Sequence, residues 1–488
     1  MLMLGALKLV GALGACNFTV DSHDPVKGPV RAGDDTKCSP IADDTVGGCA
    51  AACCAQGGCL SFSFNFGWNL GPYMDCVAGK NCCCLKDGVP PLEPNRFPLN
   101  ITSGTVSPPP FRCTSDLDCN LNGECDAGTG ACACDAAWRA EDCGELNLVP
   151  VADLRGAYET AGVNLSDCSS SCGPSSWGGL PLRGEDGKYH LFASQFVQNC
   201  TLKGFNPGSS VVRAVADAPA GPFAFAETVL GTFHHNPAVV RVPAAHSGTG
   251  AELFVMYTIG DDVPPPAGSG AACAWDAAAD PHHLEGYMSM AHAPSVLGPW
   301  TKVPHAILPS GGVNAWDAMV TNPGPLLLDN GTALLFFRGT RWPKDGLERI
   351  GLAKSESGWA GPYGRVSDSP LWGPVDDPAK FVEDPSAWRS KRGFHMLSHG
   401  HWDEQGYYAC AEKAEGPWQF RLKPAYTNQL EMEDGTRTAL VQRERPQIFF
   451  NESTGEPALL FTGVTPPGAQ FYGFTYTHAQ RIAQTTPP

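Results

Sequence analysis

The chain has 488 residues, 43% of them hydrophobic, and carries a formal charge of −17 at pH 7. That length leaves room for more than one packed domain. The acidic balance excludes a nucleic-acid or anionic-membrane surface built on clustered Lys and Arg, and no stretch is long and apolar enough to span a bilayer as a helix.

Residues 1–15 form a short apolar segment ending in small residues, the pattern of a secretory signal, although Lys8 interrupts the apolar run. Leu13-Gly14-Ala15-Cys16 also has the form of a lipoprotein cleavage site, a reading at odds with the cysteine-rich region downstream. Sixteen of the 21 cysteines fall before residue 145, in a Gly- and Pro-rich region without zinc-like His partners. That density belongs to oxidised, disulfide-stapled modules. Six Asn-x-Ser/Thr sequons, at Asn17, Asn100, Asn164, Asn199, Asn330 and Asn451, agree with a secretory route. The expected location is therefore secreted or extracellular. The odd cysteine leaves a free thiol, an intermolecular bridge or a signal-region cysteine.

Residues 16–88 hold ten cysteines. Cys49, Cys53 and Cys54 fall on a helical turn, and Cys59-Leu-Ser-Phe-Ser-Phe then reads as a strand. This stretch, with Cys84-Leu-Lys as a closing strand, resembles the apple/PAN family, in which a helix is stapled to a small sheet. Residues 89–110 are rich in proline (Pro90, Pro91, Pro94, Pro98 and Pro108 to Pro110) and are expected to form a stiff extended linker. Residues 111–145 carry Cys113, Cys119, Cys125, Cys132, Cys134 and Cys143. The final Cys-x-Cys and a Cys eight residues beyond, with Trp138 between, resemble an EGF-like module. That resemblance implies the pairs Cys113–Cys125, Cys119–Cys132 and Cys134–Cys143. No acidic calcium-binding preface precedes it, so a spacer or protein-contact role is expected.

From residue 146 to 488 the chain repeats a sentence. Apolar strand runs are followed by Gly-Pro-aromatic at Gly221-Pro222-Phe223, Gly298-Pro299-Trp300, Gly361-Pro362-Tyr363 and Gly416-Pro417-Trp418. A recurring unit of strands and turns without helical periodicity is the mark of propeller blades, which bury one another's faces around a ring. Five openings are visible: Gly178-Gly179-Leu180, Asn236-Pro237, Asn322-Pro323, Glu383-Asp384-Pro385 and Glu444-Arg445-Pro446. Glu185-Asp186-Gly187 and Asp329-Asn330-Gly331 are hairpin signals. The last blade lacks the Gly-Pro-aromatic ending, so ring closure is expected to borrow a strand from residues near 147–160. Cys168, Cys172 and Cys200 read as local staples near the first blade. The expected fold class is mainly β, a five-bladed β-propeller preceded by small disulfide-rich apple/PAN-like and EGF-like modules.

In a propeller the innermost strands begin at one mouth of a central channel, so side chains far apart in sequence converge there. Blade openings here are rich in groups that are costly to bury unpaired: His235 and Asn236, Asp317 and Asn322, Glu383 and Asp384, and Arg443, Glu444 and Arg445. Second strands add Arg338 and His399. Carboxylates beside His and Arg suit glycosidic-bond cleavage, which needs one protonated and one ionised carboxyl. The region resembles the five-bladed propeller superfamily of arabinanases, levansucrases and invertases, including glycoside hydrolase families 43, 32 and 117. In that superfamily an Asp in an Asn-Asp-Pro context is base or nucleophile, a second Asp in an Arg-Asp-Pro context tunes it, and a Glu in a Glu-x-Pro context is the acid. Glu383-Asp384-Pro385 resembles the second motif and Glu444-Arg445-Pro446 the third. The first should fall two blades before Asp384, where the chain reads His235-Asn236-Pro237, and an amide cannot ionise. Either another carboxylate, Asp317 being the best placed, does that work, or the protein does not hydrolyse glycosides by the family route.

The resemblance therefore implies a glycosidase with Glu444, Asp384 and Asp317 as catalytic carboxylates. Substrate contacts are expected from His235, Asn236, Asn322, Arg338, Glu383, His399, Arg443 and Arg445. Trp177, Trp316 and Trp402 serve either as sugar-stacking platforms or as blade packing. No cofactor is expected, since a channel calcium ion has no dedicated ligand loop here. The expected partners are a carbohydrate and, through the small modules, extracellular proteins or glycans. The alternative is a non-catalytic, lectin-like channel or an adhesion role.

Overall fold

The computed structural model describes residues 111–488 except 159–173, 198–199, 261, 263–287, 305–306, 342–345, 373–380, 402–404 and 485–488. Before residue 111 it describes 9–13, 16–20, 29–31, 35–39, 46–55, 59, 61–66, 82–86, 92–94 and 100–107. Cys168, Cys172, Trp402 and most of the expected signal segment lie outside these residues. The chain divides into two compact units, Met1–Phe111 and Arg112–Pro488. Among the described residues no helix is long and apolar enough to cross a membrane.

In the first unit, helix Val46–Ala55 lies against a six-stranded sheet ordered Leu9–Leu13, Cys16–Val20, Asn100–Ser107, Ser61–Phe66, Cys82–Lys86 and Asp35–Ser39. Disulfides Cys49–Cys83 and Cys53–Cys59 tie the helix to the sheet and to the loop that follows it, around the buried rings of Phe62 and Phe64. The expected linker at 89–110 needs correcting. Its prolines cluster at 90–98 and 108–110, and the proline-free stretch between them, rich in β-branched residues, pairs with both Cys16–Val20 and Ser61–Phe66.

The second unit is a five-bladed β-propeller. Blade 1 is Ser176–Arg183, Tyr189–Phe196, Ser209–Ala216 and Ala224–Leu230; blade 2 is His235–Val242, Leu253–Ile259, Met288–Ala293 and Thr301–Lys302. Blade 3 is Met319–Leu327, Ala333–Thr340, Glu348–Ser355 and Gly364–Arg365; blade 4 is Val382–Arg389, Phe394–Gly400, Gly406–Ala411 and Gln419–Tyr426. Blade 5 has three strands, Gln442–Phe450, Pro457–Thr465 and Tyr476–Arg481. Its outer edge is covered by the segment entering the ring, through bridges Leu148–Ile482 and Tyr158–Thr477. The borrowed segment thus closes the circle by isolated bridges, not by a regular strand.

The Gly-Pro-aromatic phrases do one job four times. Trp300 of blade 2 packs edge-on against Phe192 of blade 1, and Trp418 of blade 4 against Phe336 of blade 3. Tyr363 of blade 3 hydrogen-bonds Tyr257 of blade 2 at 2.9 Å. Phe223 of blade 1 joins Phe449 and Phe461 of blade 5 in one cluster. Each aromatic therefore seals its blade to the preceding one, a junction that buries 150–250 Å2 per ring as an order of magnitude.

Residues 112–146 form a small disulfide-bonded module packed on blade 4, with bridges Cys113–Cys125, Cys119–Cys132 and Cys134–Cys143. Trp138 stacks on Trp388 and tilts against Tyr408, at 6.5 and 5.0 Å between ring centroids. Arg392 bonds Asp135 and Glu124 of the module, and Arg421 grips Asp142 with two bonds of 2.7 and 3.0 Å.

Candidate active site

All five innermost strands carry the same irregularity. The ladder register shifts between Trp177 and Leu180, His235 and Ala238, Thr321 and Gly324, Glu383 and Ser386, and Glu444 and Gln447. Two residues are extruded from each ladder, the arrangement of a β-bulge. The first is left-handed in every blade: Gly178 (φ 57°), Asn236 (53°), Asn322 (51°), Asp384 (54°) and Arg445 (56°). The second is Gly179 in blade 1 and proline in the other four, where a missing N–H costs the ladder nothing.

This repeated bulge aims four side chains at one point. Oδ1 of Asp384 accepts from Asn322 Nδ2 at 2.7 Å, Arg445 Nη1 at 2.7 Å and Asn236 Nδ2 at 3.3 Å. Arg445 also donates to the Asn236 carbonyl at 2.9 Å. The fifth position is glycine for a steric reason: a Cβ on Gly178 would sit 2.6 Å from Cγ of Arg445.

The residues one step earlier build the second layer. Glu383 receives Arg338 at 2.5 Å and Asn322 at 3.1 Å on Oε2, and faces His401 at 3.0 Å and His399 at 3.4 Å through Oε1. Arg338 and His401 each also reach Glu348, both at 3.1 Å. The fully buried His399 sits among three carboxylates, 3.3 Å from Asp384, 3.4 Å from Glu383 and 3.4 Å from Glu444. These are ion-pair separations, longer than aligned hydrogen bonds. Facing oxygens of Glu383 and Glu444 lie within 4.8 Å of one another. Among the described residues Glu444 touches no arginine of the cluster; its Oε1 accepts from Gln442 Nε2 at 2.8 Å.

Charge in the cluster is balanced. Burial pushes the Glu383 carboxyl up, but Arg338 and His401 outweigh it and hold it well below its usual range. Asp384 is likewise lowered, against burial, by Arg445 and His399. Burial opposes a charge on His399 and on His401, yet Glu444, Asp384 and Glu383 lift the first well above its ordinary value. Glu383 and Glu348 lift the second to about 12. Four cations (Arg338, Arg445, His399, His401) thus meet four acidic side chains (Glu348, Glu383, Asp384, Glu444).

Three other expected site residues lie elsewhere. Asp317 is buried, but its carboxylate is taken by Arg365 at 2.5 Å, which also bonds the Pro309 carbonyl; among the described residues no contact joins it to Asp384 or Glu444. Arg443 alternates to the other face of its strand, between Gln480 at 2.7 Å and the ring of Tyr426 at 5.0 Å. His235 bonds Ser209 at 2.8 Å between Phe196 and Phe205 and is neutral, since burial and then the Arg445 charge depress it to about 3. Trp177 is 2% exposed and Trp316 stacks on Phe337, so both are packing residues.

Sequence reasoning missed Glu348, His401, Gln442 and Tyr472. Gln442 was within reach of the period-2 rule, standing two residues before Glu444 on the same face. His401 likewise stands two residues after His399, whereas Glu348 and Tyr472 lie off the innermost strands and no local pattern points to them.

Two trios could in principle hold a cation: Glu348, Glu383 and His401, or Glu383, His399 and Glu444. Glu383 belongs to both trios and already takes Arg338 at 2.5 Å. At the other end of the innermost strands a cavity of about 770 Å3 lies among Arg183, Arg241, Phe254, Phe449 and Phe450.

No protein-family model matches the chain, and no curated protein matches it. Among solved structures, the chain is similar to a family 117 glycoside hydrolase of the marine bacterium Zobellia galactanivorans. Identity is 11%, with 70% of this chain and 91% of that one covered, at a TM-score of 0.44. An α-L-arabinofuranosidase of Podospora anserina, solved with cellotriose, matches at 13% identity over 70% of this chain and 96% of that one, TM-score 0.44. A GH62 hydrolase solved with xylotriose matches at 11% identity over 70% and 98%, TM-score 0.46. The likeness is one of fold.

Proposed function

We propose that the protein is a secreted carbohydrate-active enzyme that cleaves glycosidic bonds at the bulged mouth of its propeller, with Glu444 as proton donor. One observation carries the reading: among the cluster's four acidic side chains, Glu444 is the one that no arginine of the described residues grips. A guanidinium contact favours the ionised form of a carboxyl, so the acidic side chain without one is the candidate donor. Glu383 and Asp384 are held by Arg338 and Arg445 and act as fixed anions, suited to stabilising the positive charge that develops on the sugar ring.

Glu444→Gln keeps the shape and removes the exchangeable proton. Release of reducing ends from polysaccharides and oligosaccharides should fall by about 10²–10⁴-fold, the usual contribution of a general acid. Full activity in that variant would end the proposal.

A second reading has its own support. Asn236 stands where the resemblance expects an ionisable Asp, and its amide is spent on Asp384 at 3.3 Å. A lectin-like channel predicts glycan binding with no reducing ends released; a measured hydrolysis rate removes it.

A further inference from the structure

Of the six Asn-x-Ser/Thr sequons, Asn330-Gly331-Thr332 and Asn451-Glu452-Ser453 fall in equivalent hairpins of the propeller. Each hairpin joins the innermost strand of its blade to the next one, Met319–Leu327 to Ala333–Thr340 in blade 3 and Gln442–Phe450 to Pro457–Thr465 in blade 5. The innermost strands start at the bulged mouth, so both hairpins stand at the opposite end of the ring. From Arg445 of the cluster to Phe450 the strand runs about 16 Å, at roughly 3.3 Å per residue. Asn164 and Asn199 lie outside the described residues, and Asn17 and Asn100 fall in strands of the first unit.

The two hairpin asparagines are held in the same way. Asn330 Oδ1 accepts from the Thr332 N–H at 3.0 Å, and Asn451 Oδ1 from the Ser453 N–H at 2.9 Å. Only the oxygen of a side-chain amide accepts from a backbone N–H, so Nδ2 takes the other side of the group. Among the described residues neither Nδ2 makes a hydrogen bond. Neighbouring blades grip the adjoining residues instead: His246 and Arg389 hold Asp329, and Arg183 holds Glu452 at 3.0 Å. Asn330 is exposed, as are Glu452, Ser453 and Thr454 beside Asn451. The turns are thus fixed without the amide nitrogens, and a bulky polar group attached there displaces none of these bonds.

We propose that Asn330 and Asn451 are N-glycosylated, which makes the face opposite the charge cluster a glycan-bearing face of the propeller. In the transfer step Nδ2 forms a bond to C1 of a sugar carried on a lipid pyrophosphate. The bond from C1 to the phosphate oxygen breaks, the lipid pyrophosphate leaves with that electron pair, and one amide proton passes to a base of the transferase. Nothing is oxidised or reduced. Phe450 and Glu452, on either side of Asn451, line the cavity of about 770 Å3 at this end, so a glycan on Asn451 stands at its rim. The proposal rests on the secreted part of the reading above and not on its glycosidase part.

The experiment produces the full chain in a eukaryotic secretory host, treats it with peptide N-glycosidase in heavy-oxygen water and maps the peptides by mass spectrometry. Release of a glycan in this way leaves a labelled aspartate, expected at both Asn330 and Asn451. Thr332→Ala and Ser453→Ala keep each asparagine but break its sequon, and each should lose the label at its own site. Label that survives in those variants is spontaneous deamidation and overturns the proposal, as does an unlabelled Asn330 or Asn451 in the wild type. Label at Asn164 or Asn199 with none at these two leaves secretion standing and removes the proposal alone; no label anywhere removes both. Label at both sites beside full hydrolysis by Glu444→Gln keeps the glycans and ends the glycosidase reading.

Discussion

Gly178, Asn236, Asn322, Asp384 and Arg445 occupy one backbone position five times over, and their chemistry is set by what the others supply. Asp384 is the shared acceptor, the two asparagines contribute neutral donors, Arg445 contributes the charge, and glycine contributes space. Gly178→Ala tests this division of labour. Its methyl would need room that Cγ of Arg445 fills, in a backbone at φ 57° that L side chains rarely adopt. The variant should lose about 1–3 kcal/mol, read by denaturant unfolding. A stability equal to wild type would mean that Arg445 is not pinned against this strand. The prolines after Asn236, Asn322, Asp384 and Arg445 made these positions legible in the sequence. What they could not show was the direction of each side chain. Asp317 also precedes an innermost strand, yet Arg365 from the outermost strand of the same blade removes it from the centre.

At the scale of elements, the repeated phrases were readable because each does the same packing job. Gly-Pro-aromatic marks the seal at four of the five junctions between neighbouring blades, and between blades 4 and 5 Trp388 meets Phe450 instead. The Pro-rich stretch at 89–110 was misread because composition averages over a segment, while pairing depends on where within it the prolines fall. The small module at 112–146 shows a different gap: its cysteines were legible, its attachment to blade 4 was not. Trp138, Trp388 and Tyr408 meet across that attachment, and Tyr408 donates to the Asn120 carbonyl at 2.8 Å. A stalk would swing free; a module with these contacts unfolds with its blade. Trp138→Ala, truncating a ring 4% exposed, should cost about 3–5 kcal/mol in urea unfolding and lower the midpoint of a single transition of the 112–488 unit. Loss of the module's signal in a separate, earlier step of the wild type would show that the contact carries no coupling.

Across the whole molecule, buried histidines of two opposite kinds set the pH of greatest stability. His235, His395 and His478 are held neutral, each depressed to about 3 first by burial and then by a nearby cation, Arg445, Arg392 and Arg443 respectively. Below their ordinary value of about 6.5 the unfolded chain binds protons that these folded sites refuse, so stability falls as the pH drops. His399 and His401 are the reverse case. Both keep their protons when folded, so their stabilisation is complete below about pH 6.5. It is lost as the pH rises toward their folded values, well above the ordinary one for His399 and about 12 for His401. Glu383 and Asp384, both lowered, add stability that persists on acidification until the pH approaches the ordinary carboxyl range and is lost below it. Unfolding free energy measured from pH 4.5 to 9 should therefore peak near pH 6.5 and decline on both sides. His401→Gln should flatten the alkaline limb while leaving the acid limb in place. A wild-type curve that stays level from pH 6.5 to 9 would mean that neither His399 nor His401 is an imidazolium. The charge balance on which the cluster depends would then have to be redrawn with four acidic side chains facing only two arginines.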